Sequence, residues 1–314
     1  MSRKVLLQLV LPLIGLSVLF WLLAFAPGDK HHQPALLEMS VILRDGDGNV
    51  SAMRKGMEQA AKDLNVELRF LTPAEDNSAV EQVQLLEHEV SGAAPAILLI
   101  PADREALGEA VSAAAGKTTL VTVESDMTAW GADASISMDH QALGEALGKA
   151  ALNGVSFGGT VLLLDSLLGD NGVRERMEAA KALLEEKGRQ VRIYRWTSDS
   201  TAFANILRIE RPKAVIAFEA AALTEMAELS RGEEAFPLLY GCGSTAGIAA
   251  ALEKGRVTAI AAVNVFSAGY LAVEAAAKLA RHESWTGGSS VGFSIVRQET
   301  MYSSDNQKLL FPVT

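Results

Sequence analysis

The chain of 314 residues contains a single cysteine, Cys242. One thiol cannot form an internal disulfide, so the fold must be stabilised by its hydrophobic core alone. A core of sufficient size is available, because 49% of the residues are hydrophobic. The length is that of about two domains.

Positive charge is also scarce: 28 Lys and Arg residues stand against 38 Asp and Glu residues, for a net charge of −10. An acidic surface repels the phosphate backbone of nucleic acids, so we expect no nucleic-acid partner. The motifs G-x-S-x-G and H-E-x-x-H and the P-loop are missing as well. Cys242 follows a predicted strand, as a nucleophile can, but no histidine is near it in the chain, which favours a buried small side chain. We therefore expect no enzymatic activity, no cofactor and no metal site.

The N-terminus carries a long hydrophobic run. Two basic residues, Arg3 and Lys4, precede residues 5–26, which hold no charge. As a helix this run spans roughly 33 Å, enough to cross a bilayer, and the basic start places the N-terminus in the cytoplasm and the rest of the chain outside. Residues 24–26 also fit a signal-peptidase site, but Pro27 after them disfavours cleavage. We expect residues 1–27 to be a membrane anchor rather than a cleaved signal peptide, which mass spectrometry of the mature N-terminus can distinguish.

After a polar linker at residues 28–36, short apolar runs alternate with amphipathic stretches of helical period. The apolar runs are continuous, as in strands of a parallel sheet that is covered on both faces. They predict strands at 39–43, 66–71, 96–100, 119–123, 160–164, 191–196, 214–218, 238–241, 257–263 and 291–296. Helices are predicted at 50–64, 79–90, 106–115, 141–152, 172–187, 202–208, 223–229, 245–253 and 266–281. The pattern indicates an α/β fold of two doubly wound parallel-sheet lobes, in which ligands bind beyond the carboxyl ends of the strands.

Three stretches resemble the periplasmic binding proteins of the ribose type. PADREALGEAV at 101–111 fits their P-x-D-x-x-A-x-x-x-A-V pattern, RKGMEQAA at 54–61 is similar to their first helix, and GYLAVE at 269–274 to their last interlobe helix. The resemblance covers residues 37–296 and implies the type I fold, with two lobes that close on a ligand about a hinge.

The hinge would consist of three crossings, near residues 139–140, 264–265 and 287–290. The first lobe would then contain residues 37–139 and 265–286, and the second lobe residues 140–264 and 287–314.

The resemblance also implies a ligand site at the strand ends. In the family, carboxylates, amides and an arginine bind the hydroxyl groups of a sugar that is stacked between aromatic rings. The residues of this chain that match such positions are Asp47, Asn49, Glu124, Ser125, Arg174, Glu219 and Asn264. The stacking aromatics after the first strand are missing, and Cys242 and Val263 replace a common aspartate and glutamine. The predicted site is therefore polar but differs from that of the family, and the resemblance does not imply the usual pentose ligand.

These side chains also have structural interpretations. Carboxylates at strand ends often cap the next helix, which applies to Glu124. Asp139 is near the first crossing and can act at the hinge. Arg174 can pair with Glu178 along its helix. Trp196 can either supply a stacking plane or lie in the core.

The resemblance implies a solute-binding protein outside the cytoplasm that captures a small, sugar-like ligand for the permease of an ABC importer. The expected membrane anchor leaves a second function open: a ligand sensor that signals to a receptor or histidine kinase. Neighbouring permease and ATPase genes would favour import, and genes for a kinase and a response regulator would favour sensing.

Overall fold

The computed structural model describes residues 35–44, 48–75, 77–165, 171–197, 199–232 and 236–311. The elements given below lie in one compact unit, Leu36–Thr314, and a second unit comprises Met1–Ala35. The expected anchor at residues 1–27 and most of the linker lie outside the described residues. Within the described ranges, no helix is long and apolar enough to span a bilayer.

The first sheet is built from the N-terminal part of the unit, and all of its strands are parallel. Its strands are β1 (Leu37–Ile42), β2 (Val66–Leu71), β3 (Ala96–Leu99), β4 (Thr119–Glu124) and β5 (Ala134–Ser137), in the order β2-β1-β3-β4-β5. The helices that connect them are α1 (Gly48–Leu64), α2 (Ala79–Ser91) and α3 (Arg104–Ala114). β3 is buried along its whole length, as its continuous apolar sequence predicts.

The second sheet has the order β11-β10-β9-β8-β6-β7, and β11 is antiparallel to β10 while the other pairs are parallel. Its strands are β6 (Thr160–Asp165), β7 (Gln190–Arg195), β8 (Ala214–Ala217), β9 (Leu238–Cys242), β10 (Ala259–Val263) and β11 (Phe293–Val296). The helices of this part are α4 (His140–Leu152), α5 (Asn171–Glu186), α6 (Ser200–Glu210), α7 (Ala220–Leu229) and α8 (Ala246–Glu253), followed after α9 (Val265–Ala280) by α10 (Ser304–Leu310).

The chain passes between the two sheets more than once. After β5 it enters α4, which packs against α5 and the strands β9, β10 and β11. After β10 it enters α9, which returns to the first sheet and packs against α1 and the strands β3, β4 and β5. It then reaches β11, and on the way the backbone of Ser137 bonds to Ser289 and Val291 at 2.8 Å and 2.7 Å. The first and third passages therefore lie side by side.

The two-sheet α/β architecture expected from the sequence is confirmed, and the predicted strands and helices are present with bounds shifted by a few residues at most. β5 and α10 are missing from the prediction. β5 consists of ASIS, whose single large apolar side chain gives too weak a period, and α10 is a short polar helix after the last predicted strand. The lobe boundaries inferred above stay a prediction.

Candidate functional site

The strand order of each sheet reverses at one point, between β1 and β3 in the first sheet and between β6 and β8 in the second. Ligands of open α/β sheets bind outside the carboxyl ends of the strands at such a reversal. A cavity of about 40 Å³ lies at these ends and has walls from both sheets. From the first sheet it is lined by Arg44, Glu124 and Met138. From the second part it is lined by Val173, Arg176, Glu219, Ala220, Cys242, Gly243, Ser244 and Val263, and Val265 of α9 completes it.

Arg176 is the central polar group of the cavity, and its side chain is only 7% exposed. Its Nη1 donates to the carbonyl oxygen of Phe218 at 3.0 Å and lies 3.6 Å from the sulfur of Cys242. Its Nε donates to Nδ1 of His140 at 3.0 Å, and its Nη2 lies 3.6 Å from the sulfur of Met138. A buried cation is costly unless its donors are satisfied, and here oxygen, nitrogen and sulfur acceptors surround the guanidinium.

Glu124 forms the opposite wall, at the end of β4. Its carboxylate pairs with Arg44 at 3.0 Å, and both side chains are largely buried. Its backbone has a φ of 70°, in the left-handed region that side chains rarely adopt. Such strained residues cluster at ligand sites, where the surrounding structure holds them in place.

An ion pair connects the two parts of the chain at a second place. Arg104, at the start of α3, lies 3.4 Å from Glu175, near the start of α5. The Arg104 guanidinium also lies over the ring of Trp130, with 5.8 Å between its central carbon and the ring centroid. Because both charged side chains are partly exposed, this pair between α3 and α5 adds little to stability.

The structure brings together some of the residues that the sequence singled out. Glu124 and Glu219 line the cavity, as do Cys242 and Val263. Ser125 is buried beside Glu124 but is not part of the lining.

The other predicted residues lie elsewhere or are not described. Asn264 caps α9, where its side-chain oxygen accepts from the backbone N–H of Ser267 at 3.0 Å, and it lines a separate groove. Asp47 lies outside the described residues, and of Asn49 the structure describes only the backbone, within α1.

The structure places Arg174 on the exposed side of α5, whereas Arg176 faces the cavity. The helical period explains the difference. Val173, Met177 and Ala180 are buried and define the inner face of α5, and at 100° per residue Arg176 lies on that face and Arg174 does not. This signal is present in the sequence, and it would have favoured Arg176.

Two other side chains singled out by the sequence have structural roles. The Asp139 carboxylate accepts from the backbone N–H of Ala142 at 2.8 Å and caps α4. Trp196 is buried in the core, where it packs edge-on against Phe203 and donates from its indole N–H to Glu225 at 2.9 Å. It therefore leaves the cavity without the stacking plane that it could have supplied.

A larger groove of about 530 Å³ is lined by Arg208, Arg211, Lys213 and Phe236, among others. It lies at the amino ends of β8 and β9, on the far side of the second sheet from the cavity. Size alone would favour this groove. The polar groups that converge from both sheets, together with the strand reversal, favour the smaller cavity.

Two α/β sheets with a polar cavity between their carboxyl ends define a two-lobed binding protein. In agreement, residues 40–284 match the family described as periplasmic binding protein domain. The chain belongs to this family. Among curated proteins, no match was found.

Solved structures share the fold at low sequence identity. An ABC transporter solute-binding protein from Agrobacterium vitis with bound D-fucose is 20% identical, with a TM-score of 0.80 over 87% of this chain and 100% of that one. A carbohydrate transporter solute-binding protein from Agrobacterium radiobacter in complex with D-arabinose is 17% identical, with a TM-score of 0.81 over 88% and 99%. A carbohydrate transporter from Acidothermus cellulolyticus in complex with myo-inositol is 18% identical, with a TM-score of 0.77 over 88% and 98%.

Proposed function

We propose that this protein captures a sugar or sugar-like polyol in the cavity between its sheets and delivers it to the permease of an ABC importer. The observation that carries the proposal is the cavity itself, where Arg176, Glu124 and Glu219 converge at the carboxyl ends of strands from both sheets. Guanidinium donors and carboxylate acceptors suit vicinal hydroxyl groups, and charge-assisted bonds of this kind are strong. The family and the sugars bound by the structural neighbours support the same ligand class.

Ligand entry requires motion. A cavity of about 40 Å³ holds a few water molecules but not a sugar ring. The paired passages at Ser137 and Ser289, together with the passage at Asn264, are the places about which the lobes would open. The described state then corresponds to closed lobes, with Arg176 held by the protein's own acceptors until a ligand arrives.

The location of the binding domain outside the cytoplasm follows the family. We further propose that residues 5–26 hold the protein at the membrane, so that the captured ligand stays close to the permease.

A thermal-shift screen tests the proposed function directly. The full chain in mild detergent is heated with D-fucose, D-arabinose, myo-inositol and further aldoses and polyols at millimolar concentration. A ligand that binds only the folded state stabilises it by mass action, and at one hundred times its Kd the free energy of unfolding rises by about 2.7 kcal/mol. The unfolding temperature then rises as well. We expect at least one sugar or polyol to do so. If none shifts the midpoint while a chemically different ligand does, the proposal is wrong.

The two neighbouring arginines distinguish the sequence-based site from the structural one. Arg176→Lys keeps the charge but removes the planar donor fork, so we expect affinity for the sugar found in the screen to fall about tenfold, or about 1.4 kcal/mol. Arg174→Lys is the matched control on the same helix, and its affinity should stay unchanged. Calorimetric titration measures both. The reverse pattern would place Arg174 at the ligand after all.

A further inference from the structure

His140 holds two groups of the cavity wall at once. Its Nε2 lies 2.8 Å from the carbonyl oxygen of Glu124, and its Nδ1 lies 3.0 Å from Nε of Arg176. A guanidinium has only donors, so Nδ1 must accept, and the ring proton then resides on Nε2 and is donated to the carbonyl. Only the neutral imidazole with this proton position can make both bonds.

The setting of the ring makes this state hard to replace. His140 is 7% exposed and is the first residue of α4. Gly172 of α5 packs so closely on the imidazole that a methyl group there would overlap the ring.

The charged groups around the ring come from several elements. Arg176 on α5 contacts it directly, and the Asp139 carboxylate is engaged in capping α4. The Glu124 carboxylate is paired with Arg44, and Glu219, ahead of α7, lines the same cavity. Among the contacts that the structure describes, the charge in direct contact with the ring is a cation.

We propose that His140 is the positioning residue of Arg176, and that its protonation releases the arginine and thereby weakens ligand binding. A proton on Nδ1 removes the acceptor of the Arg176 Nε–H and places a second positive charge 3.0 Å from the guanidinium nitrogen. The bond from the His140 Nε2–H to the Glu124 carbonyl, which connects α4 to β4 of the first sheet, keeps its proton, so the change acts on Arg176. The part of the proposal that concerns the ligand depends on the proposed function.

The direction of the pH effect follows from these bonds. Only an unprotonated Nδ1 can accept from Arg176, so acidification removes this bond while the bond from Nε2 to Glu124 remains. Ligand capture would then follow the acidity of the surroundings.

Three variants of the full chain test the proposal. His140→Asn retains an acceptor near the position of Nδ1 but cannot titrate. His140→Leu has neither an acceptor at this position nor a titratable group. His282→Asn is the matched control, since His282 is an exposed histidine with a φ of 58°, a conformation that asparagine adopts readily.

The first readout needs no ligand. Urea unfolding is followed from about pH 7.5 to about pH 5.5, and Cys242, the only thiol, reports on the cavity through its rate of reaction with N-ethylmaleimide. We expect the wild type and His282→Asn to lose stability on acidification. At acidic pH their Cys242 should react with N-ethylmaleimide at least about threefold faster than that of His140→Asn. His140→Leu should expose the thiol at both pH values. Equal pH profiles for the wild type and His140→Asn would overturn the proposal.

The second readout uses D-fucose, D-arabinose and myo-inositol as probes. A probe that binds the wild type at pH 7.5 should bind at least about tenfold more weakly at pH 5.5, and the change should be under about threefold for His140→Asn. If no probe binds at pH 7.5, that result counts against the proposed function, while the ligand-free readout still decides on His140.

Discussion

Replacing Gln82 by leucine is expected to lower the free energy of unfolding by about 4 kcal/mol, because three buried backbone groups would lose their partner. Gln82 lies on α2 and is 0% exposed. Its Nε2 donates to the carbonyl oxygens of Leu43 at 2.9 Å and Ile100 at 2.8 Å, and its Oε1 accepts from the N–H of Ala102 at 2.8 Å. One side chain thus closes the hydrogen bonds of the backbone just after β1 and β3, at the point where the first sheet reverses.

Leucine fills a similar volume but offers no donor or acceptor, and each orphaned buried group costs about 1–3 kcal/mol. Gln84→Leu is the matched control, because Gln84 is exposed on the same helix, and its effect should stay within about 0.5 kcal/mol. Urea unfolding of both variants measures the difference. A loss of less than about 1 kcal/mol for Gln82→Leu would mean that water or a shifted backbone takes over the three bonds.

Replacing Gly144 by alanine is expected to cost about 3 kcal/mol and to weaken ligand binding as well. A methyl group on Gly144 would overlap the carbonyl oxygen of Arg176, so α4 and α5 would have to move apart. Insertion of one methyl group into a tightly packed contact typically costs about 1–3 kcal/mol, and here the obstacle is backbone, which cannot rotate away. The same movement would shift Arg176, the central polar group of the cavity.

Gly148→Ala is the control one turn further along α4. A methyl group there would lie 3.1 Å from a terminal carbon of Leu183, a flexible side chain that can adjust. Alanine also improves the helix propensity by about 1 kcal/mol, so this variant should remain within about 1 kcal/mol of the wild type. Chemical denaturation and sugar titration of both variants check the prediction. Equal behaviour of the two would show that α4 and α5 are not held at this distance.

The sheets could be predicted from the sequence because their strands are short apolar runs that must be covered on both faces. VLLL in β6 and AILL in β3 can hardly be placed anywhere else. β5 was not predicted because it contains only one large apolar residue. It forms a strand through its pairing with β4, and the sequence of β5 alone does not show that pairing.

The cavity was predicted less well, since a family pattern identifies positions along the chain and not the direction of a side chain. Arg174 matched the pattern, but the buried stripe of α5 selects Arg176. Asn264 was expected at the ligand, yet the backbone donors at the start of α9 take its oxygen. The Arg176–His140–Glu124 contacts join residues far apart in the sequence, and no local pattern predicts them.

The position of α9 also determines when the chain can fold. Residues 265–280 form the cover of α1, β3, β4 and β5, so a growing chain that ends before Val265 leaves that apolar surface open to water. The second sheet is likewise incomplete until β11, at residues 293–296, pairs with β10. Neither sheet with its covering helices can therefore be completed while its own segment is synthesised. Contacts between distant residues also slow folding, because long loops must close first. The cover of the first sheet and the last strand of the second sheet are therefore both added late, after nearly the whole chain has left the ribosome.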